Sequence, residues 1–304
     1  MALRPFLKWV GGKRQLLPVL RRFYPANAGR YYEPFVGSGA VFFDLLNHDR
    51  LNGGGAVLSD GNADLIACYR RIADSLDVVL ATLDRLAADH GARGRDCYLE
   101  VRDQYFNPQR LEWRARGARL DDYTAELAAM VIYLNRTGYN GLFRQNASGL
   151  YNVPPGRYDR PRIVNHALLT HISNAFSLPA VRLEHAAFDS LVDDARAGDF
   201  VYFDPPYAPL SRTANFRGYT GRGFSEADQV NLQQIVIGLA TRGVHVLLSN
   251  SVAPSVSDLY EGDAAVAAAG LQTFRFPARR SINSRPDRRG VVEELVVSNV
   301  VPPA

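Results

Sequence analysis

Phe200-Val201-Tyr202-Phe203-Asp204-Pro205-Pro206-Tyr207 is an apolar run of four, preceded by Gly198-Asp199 and ended by a carboxylate and two prolines. Such a run reads as a core strand of a parallel sheet, and ligands of open α/β sheets bind beyond the carboxyl ends of the strands. Asp204 is therefore expected at the ligand-binding rim. Proline lacks a backbone N–H and fixes its φ, so Pro205 and Pro206 hold their carbonyls in one direction, while Tyr207 offers a flat face on which a base can stack. The combination suits an exocyclic amino group. The lone pair of such an amine is delocalised into its ring; acceptors from Asp204 and the Pro205 carbonyl would localise it on nitrogen, ready to attack an activated methyl.

Working outward from this strand, β and α patterns alternate. Tyr31 to Val36 forms a strand running into the tight loop Gly37-Ser38-Gly39 and a helix over Val41 to Leu46, and Ala56 to Ser59 is a second strand ending in Asp60. That order is half of a doubly wound fold. Further strands are expected at Val181 to Leu183, Val244 to Ser249, Thr273 to Phe276 and Val291 to Val297, with a helix from Ser225, its N-cap, to Thr241. Between Ala63 and Leu134 the apolar spacing is helical, as in Leu76, Val79, Leu80, Leu83 and Leu86, and strands are absent. The Gly-, Asn-, Pro-, Tyr- and Arg-rich stretch from Asn135 to Asn165 is too long for a simple connection and is expected to be a functional loop or hairpin. A sheet domain interrupted by a helical insert results.

Gly37-Ser38-Gly39 after one strand and Asp60 after the next match a nucleotide-binding arrangement, in which glycines let the ligand approach and the acid holds ribose hydroxyls. Position 42 is Phe where a dinucleotide fingerprint has its third glycine, which removes the phosphate cradle and favours a cofactor without pyrophosphate.

Composition narrows the class. The chain has 304 residues and a formal net charge of +4, long enough for a full core and compatible with a polyanionic partner. Arginines gather at Arg136, Arg144, Arg157, Arg160 and Arg162, interleaved with Tyr, Asn and Gly, and again at Arg275, Arg279, Arg280, Arg285, Arg288 and Arg289. Both runs are candidate nucleic-acid surfaces. Cys68 and Cys97 form no metal-spaced cluster, no signal-peptide core is present, and no apolar run is long enough to span a membrane. The expectation is a cytoplasmic, nucleoid-associated, metal-free monomer. Lys8 and Lys13 are the only lysines among 35 basic residues. A chain that otherwise chose Arg needs a compact ammonium there rather than a planar fork.

Taken in order, Trp9-Val10-Gly11-Gly12-Lys13, Glu33 to Gly39, Asp60-Gly61-Asn62-Ala63-Asp64-Leu65, Asn135 to Leu142, Asn152-Val153-Pro154, Asp204 to Tyr207, Ala208-Pro209-Leu210-Ser211, Ser249-Asn250-Ser251 and Arg280-Ser281-Ile282 resemble the Dam family of bacterial DNA adenine-N6 methyltransferases. The resemblance spans nearly the whole chain. It implies a seven-stranded, mostly parallel, doubly wound methyltransferase sheet with an inserted helical DNA-recognition domain. Residues 1–65 and 167–304 would form the S-adenosylmethionine-binding catalytic domain, and 66–166 the target-recognition domain with its hairpin. Trp9, Lys13, Phe35, Gly37, Gly39, Asp60 and Asp204 would bind the cofactor, and Asp204, Pro205, Pro206 and Tyr207 would act on the amine. Tyr139 would fill the gap left in the stack of the double-stranded DNA as the adenine is flipped, Asn140 would bind the DNA, and Leu142, Arg144, Pro154 and Tyr158 would read a GATC site. Pro155 stands where close relatives carry Phe, next to these contacts. An RNA adenine-N6 methyltransferase and a DNA-binding protein without catalysis are the competing readings.

Overall fold

The computed structural model describes residues 2–51, 53–207, 224–279 and 291–302. The stretches Ala208 to Ser211 and Arg280 to Ile282, and the arginines at 285, 288 and 289, lie outside them. A 3₁₀ turn at Lys13–Gln15 and α1 (Leu17–Leu20) lead to β1 (Tyr31–Glu33), α2 (Ala40–Asn47) and β2 (Ala56–Ser59). Helices α3 (Ala63–Asp74), α4 (Leu76–Arg93), α5 (Arg95–Glu100), α6 (Asn107–Ala115), α7 (Ala125–Thr137) and α8 (His166–Phe176) follow, with one π turn, Val101–Phe106, between α5 and α6. The chain then runs through β3 (Val181–Glu184), β4 (Phe200–Phe203), α9 (Glu226–Thr241), β5 (His245–Ser251), α10 (Pro254–Tyr260), α11 (Ala264–Ala268), β6 (Gln272–Arg279) and β7 (Val291–Ser298).

The seven strands form one sheet in the order β3-β2-β1-β4-β5-β7-β6. Strand β1 is parallel to β2 and β4, and β4 to β5, whereas β7 runs antiparallel to both β5 and β6. The sheet is thus mixed, with its parallel part where the sequence places it.

Two compact units divide the chain: one comprises residues 2–12, 37–39 and 60–185, the other 13–36, 40–59 and 186–302. The second unit is built on the sheet. Side chains alternate across a strand, so Val201 and Phe203, Val246 and Leu248, and Leu295 and Val297 fall on one face, where Leu232, Val236 and Leu239 of α9 and Val256 and Tyr260 of α10 cover them. Phe200, on the other face, packs against Tyr24 and Tyr31. Burial on both faces is why β4 is apolar at every position. The N-terminus of α9 is closed by a reciprocal capping box between Ser225 and Asp228.

The first unit is helical. Helix α7 is buried along almost its whole length and packs on α3 and α4. A single apolar stripe does not describe such a helix, because it is surrounded. Within the same unit, the stretch after α7 folds back on itself. Gln145 pairs with Tyr151 and Gly138 with Pro155, and the turn between the first pair is held by the Asn146 side chain, which accepts from the N–H groups of Ser148 and Leu150. No helix among the described residues is long and apolar enough to cross a membrane.

Candidate active site

In the sheet unit, β4 delivers Asp204 to its carboxyl end, and the two prolines that follow have no N–H with which to extend the ladder. Parallel register opposes Phe203 to Leu248, which brings Ser249 beside Asp204. The Ser249 hydroxyl bonds to that of Tyr202 at 2.7 Å and supports the Asp204 carboxylate. Lys13, only 5 % exposed, lies 2.7 Å from Asp204 and 3.1 Å from Glu294. Its ammonium also donates to the Tyr207 hydroxyl at 2.5 Å and sits 4.5 Å from the centre of that ring, and the Tyr207 hydroxyl donates to Glu294. One cation thus joins two carboxylates and a phenol.

Burial sets the charges of this cluster. It pushes Asp204 up to about 6, against the lowering pull of Lys13 and its hydrogen bond. Burial alone would lower Lys13, but Asp204, Tyr207 and Glu294 outweigh it and raise the ammonium well above its usual value. The Tyr207 phenol is likewise raised, chiefly by burial, and stays neutral. At neutral pH Lys13 is charged and Asp204 ionised, with Asp204 about one-fifth exposed.

Glu294 escaped the sequence reading. The signal lies in Glu293-Glu294 inside the apolar run Val291 to Val297: adjacent strand residues face opposite ways, so one covered face is enough to bury one of them, and Glu294 is buried while Glu293 is exposed. The antiparallel sense of β7 accounts for its position, since its early residues stand level with the ends of the parallel strands, Glu294 opposite Ser251. Arg275, expected in a basic surface, is committed to Glu261 and Glu293 and offers little free charge.

In the helical unit, the glycine loop and Asp60 are brought together. Gly37 has φ +45° and Gly39 φ +70°, and a Cβ on Gly37 would stand 2.9 Å from the Trp9 indole, so only glycine allows the ring to lie against the loop. One Asp60 oxygen accepts from Gly37 N–H at 3.0 Å and the other from Asn62 N–H at 2.8 Å. Burial nevertheless pushes Asp60 up to about 6, against both hydrogen bonds. A carboxylate oxygen accepts more than one bond, so each retains capacity for a hydroxyl donor, and the indole beside a Cβ-free loop is a flat apolar wall. That donor set fits a nucleoside with a free ribose diol. Phe35 belongs to the sheet unit and stacks with Phe188, with Phe224 at its edge.

Asp60 also permits a test. Its folded value near 6 lies above the ordinary 3.8, so the stability it contributes is present below about pH 4 and is lost as pH rises through 6. The ionised side chain is therefore a net cost at neutral pH. Asp60→Asn is expected to stabilise the fold by about 1 kcal/mol at pH 7, after allowing for the loss of one of the two N–H bonds, since the amide nitrogen cannot accept, and to stabilise it less at pH 4. Urea unfolding at the two pH values measures this, and a loss of stability at pH 7 contradicts it.

The residues expected at DNA also fall in the helical unit. Tyr139 and Tyr158 are exposed aromatics, and Asn140 has φ +53° in the turn at the base of the hairpin. Leu142 is half-buried and Pro154 exposed, its carbonyl accepting from Tyr139 N–H. Arg144 is exposed on the outgoing arm, its fork held by the Asn152 side chain and carbonyl. Lys8 caps Tyr158, 3.7 Å from the ring centre, and donates to the Arg136 carbonyl. Pro155 takes its place in the bridge opposite Gly138, where any Cβ would meet the Leu134 carbonyl at 2.4 Å.

Comparison with known proteins gives the family. Residues 9–273 match the family described as D12 class N6 adenine-specific DNA methyltransferase. The type II methyltransferase M1.LlaDCHI of Lactococcus lactis subsp. cremoris is 36 % identical over 298 residues, covering 98 % of this chain and 95 % of that protein. The DNA adenine methylase of Escherichia coli strain K12 is 36 % identical over 309 residues, covering 99 % and 98 %. The type II methyltransferase M.MjaIII of Methanocaldococcus jannaschii is 34 % identical over 310 residues, covering 98 % and 100 %. A strand ending in a buried, lysine-paired carboxylate, a glycine loop latched to an acid, and likeness over essentially the full length converge: the chain belongs to the D12 class of N6 adenine-specific DNA methyltransferases.

Proposed function

We propose that this enzyme methylates N6 of an adenine flipped out of duplex DNA, within GATC. The Asp204 carboxylate carries the reading: it is buried enough to be raised to about 6, paired with Lys13, and still partly open. Trp9, Phe35, Gly37, Gly39 and Asp60, with Lys13 and Asp204, hold S-adenosylmethionine. That cofactor supplies a methyl group on a sulfonium, an electrophile that a neutral amine can attack. The protein supplies position. Asp204 and the Pro205 carbonyl accept the two N–H bonds of the adenine amine, which concentrates its lone pair on nitrogen, and Tyr207 lies under the base with its hydroxyl tied down by Glu294 and Lys13. No side chain forms a covalent bond to the base, because attack by an exocyclic amine needs no nucleophile from the protein.

Residues 66–166 form the target-recognition domain in this reading. Tyr139 fills the space left by the adenine, Asn140 binds the DNA, and Leu142, Arg144, Pro154 and Tyr158 face the base edges. Arg144→Ala is expected to lower discrimination between GATC and sites with one altered base pair by about tenfold, the size of one lost guanine contact, with little change in cofactor affinity. The reading as a whole is tested by exposing genomic DNA lacking N6-methyladenine to the purified enzyme and sequencing for modified adenines. Methylation confined to GATC supports it, another motif removes the site assignment, and methyl uptake by ribosomal RNA in preference to duplex DNA removes the substrate.

A further inference from the structure

The returning arm of the hairpin, residues 149–153, is held from behind by a row of side chains on a single helical stretch. Tyr98 Oη and Arg102 Nη1 both donate to the Val153 carbonyl, at 3.0 and 2.9 Å. Asn107 donates to the Tyr151 carbonyl and accepts from the Tyr151 N–H, at 3.0 and 2.8 Å, as a neighbouring strand would. Arg110, wholly buried, donates to the Gly149 carbonyl at 2.6 Å and to Asp64 at 2.7 Å. The arm is gripped at 153, 151 and 149, every second residue, which is the repeat of an extended chain.

An uninterrupted α-helix cannot present this row. At 100° per residue, Asn107 would point roughly 180° away from Tyr98, and Arg110 roughly 120° away. The π turn at Val101–Phe106, in which Asn107 N–H reaches back to the Arg102 carbonyl, absorbs one extra residue. With that residue discounted, Arg102, Asn107 and Arg110 fall within roughly 80° of Tyr98. A turn that costs regular hydrogen-bond geometry is here what aligns the row.

We infer that the π turn sets the register of the hairpin, and that Asn107 and Arg102 are positioning residues for sequence discrimination. They act through the opposite arm. Tyr151 pairs with Gln145 and Asn152 holds Arg144, so a shift of the returning arm moves the side chain proposed to read the site. Arg110 extends the same link toward the cofactor loop, because Asp64 N–H bonds to Asn62 and Asn62 N–H to Asp60. The inference rests on the hairpin being the element that reads DNA.

The test uses the full-length enzyme and duplexes carrying the preferred site or one altered base pair. Asn107→Leu, close in volume, and Arg102→Met, at a partly exposed position, are each compared with Arg144→Ala. Both are expected to lower the ratio of kcat/KM for preferred over altered sites by about tenfold for Asn107→Leu and by less for Arg102→Met, where Tyr98 still holds Val153. Calorimetric affinity for S-adenosylmethionine stays as in the parent, and Arg102→Lys, which can still donate to Val153, restores the ratio. Should Arg144→Ala lower the ratio while Arg102→Met and folded Asn107→Leu leave it intact, the register role is wrong and the reading of the hairpin stands. If Arg144→Ala also leaves it intact, the hairpin does not read the site and the inference falls with it.

Discussion

Asp204→Asn is expected to lower the single-turnover rate of methyl transfer by about 10³-fold, the scale for removing one preorganised electrostatic contact from a site that excludes water. The substitution keeps the shape and one acceptor oxygen. It removes the negative charge and turns an N–H₂ group toward a substrate amine that itself only donates. Since Lys13 retains Glu294 as a partner, the fold should survive. The parent enzyme also carries a pH signature. Protonation removes the negative charge of Asp204 and turns one of its acceptor oxygens into a donor, and the group titrates near 6, so the parent rate should fall as pH drops through that value. In the variant this acid limb vanishes. Labelled methyl uptake into duplex DNA between pH 5 and 8 measures both, and a variant that keeps a rate close to the parent removes Asp204 from the chemistry.

Lys13→Met is the second large effect. Its removal leaves Asp204 and Glu294 as two buried carboxylates with no cation between them, and an orphaned buried charge of this kind costs about 3 kcal/mol or more. One way to relieve the repulsion is to protonate. Lys13 lowers the Asp204 value, so its loss should carry that value further above the ordinary carboxylate range. The acid limb of the rate profile then moves to higher pH, and part of the lost activity returns under alkaline conditions. Stability moves in the opposite sense. Carboxylates whose folded values are raised above the unfolded ones stabilise the fold below the unfolded value and lose that contribution as pH rises through the folded one. The variant should therefore be most deficient in urea unfolding above pH 7 and recover toward pH 5. An unshifted limb would show that Lys13 does not govern the charge of Asp204.

Local order was legible in the sequence. The apolar run of β4 and its abrupt end, the glycine loop after β1, the acid after β2 and the capping box of α9 are each decided within a few residues, by burial, by a positive φ or by a side chain reaching its own backbone. Pairings distant in the chain were not. Glu294 joins Lys13 across 281 positions through a strand whose antiparallel sense no local pattern announces. The π turn is equally silent, since the apolar spacing of residues 95–115 is compatible with continuous helix and the reason for the extra residue lies in the hairpin beyond it. The two-lysine anomaly is the exception: composition flagged a need for ammonium groups, and the packing of Lys13 among two carboxylates and a phenol shows what that need is.

That economy has a practical consequence for handling the enzyme. Amine-directed reagents such as activated esters find only two side-chain targets, Lys8, half-buried against Tyr158, and Lys13, sealed in its ion cluster. Immobilisation or dye labelling through amines will therefore be sparse and directed to the N-terminal stretch. The rate at which Lys13 is acylated then becomes a clock for how often its cluster opens.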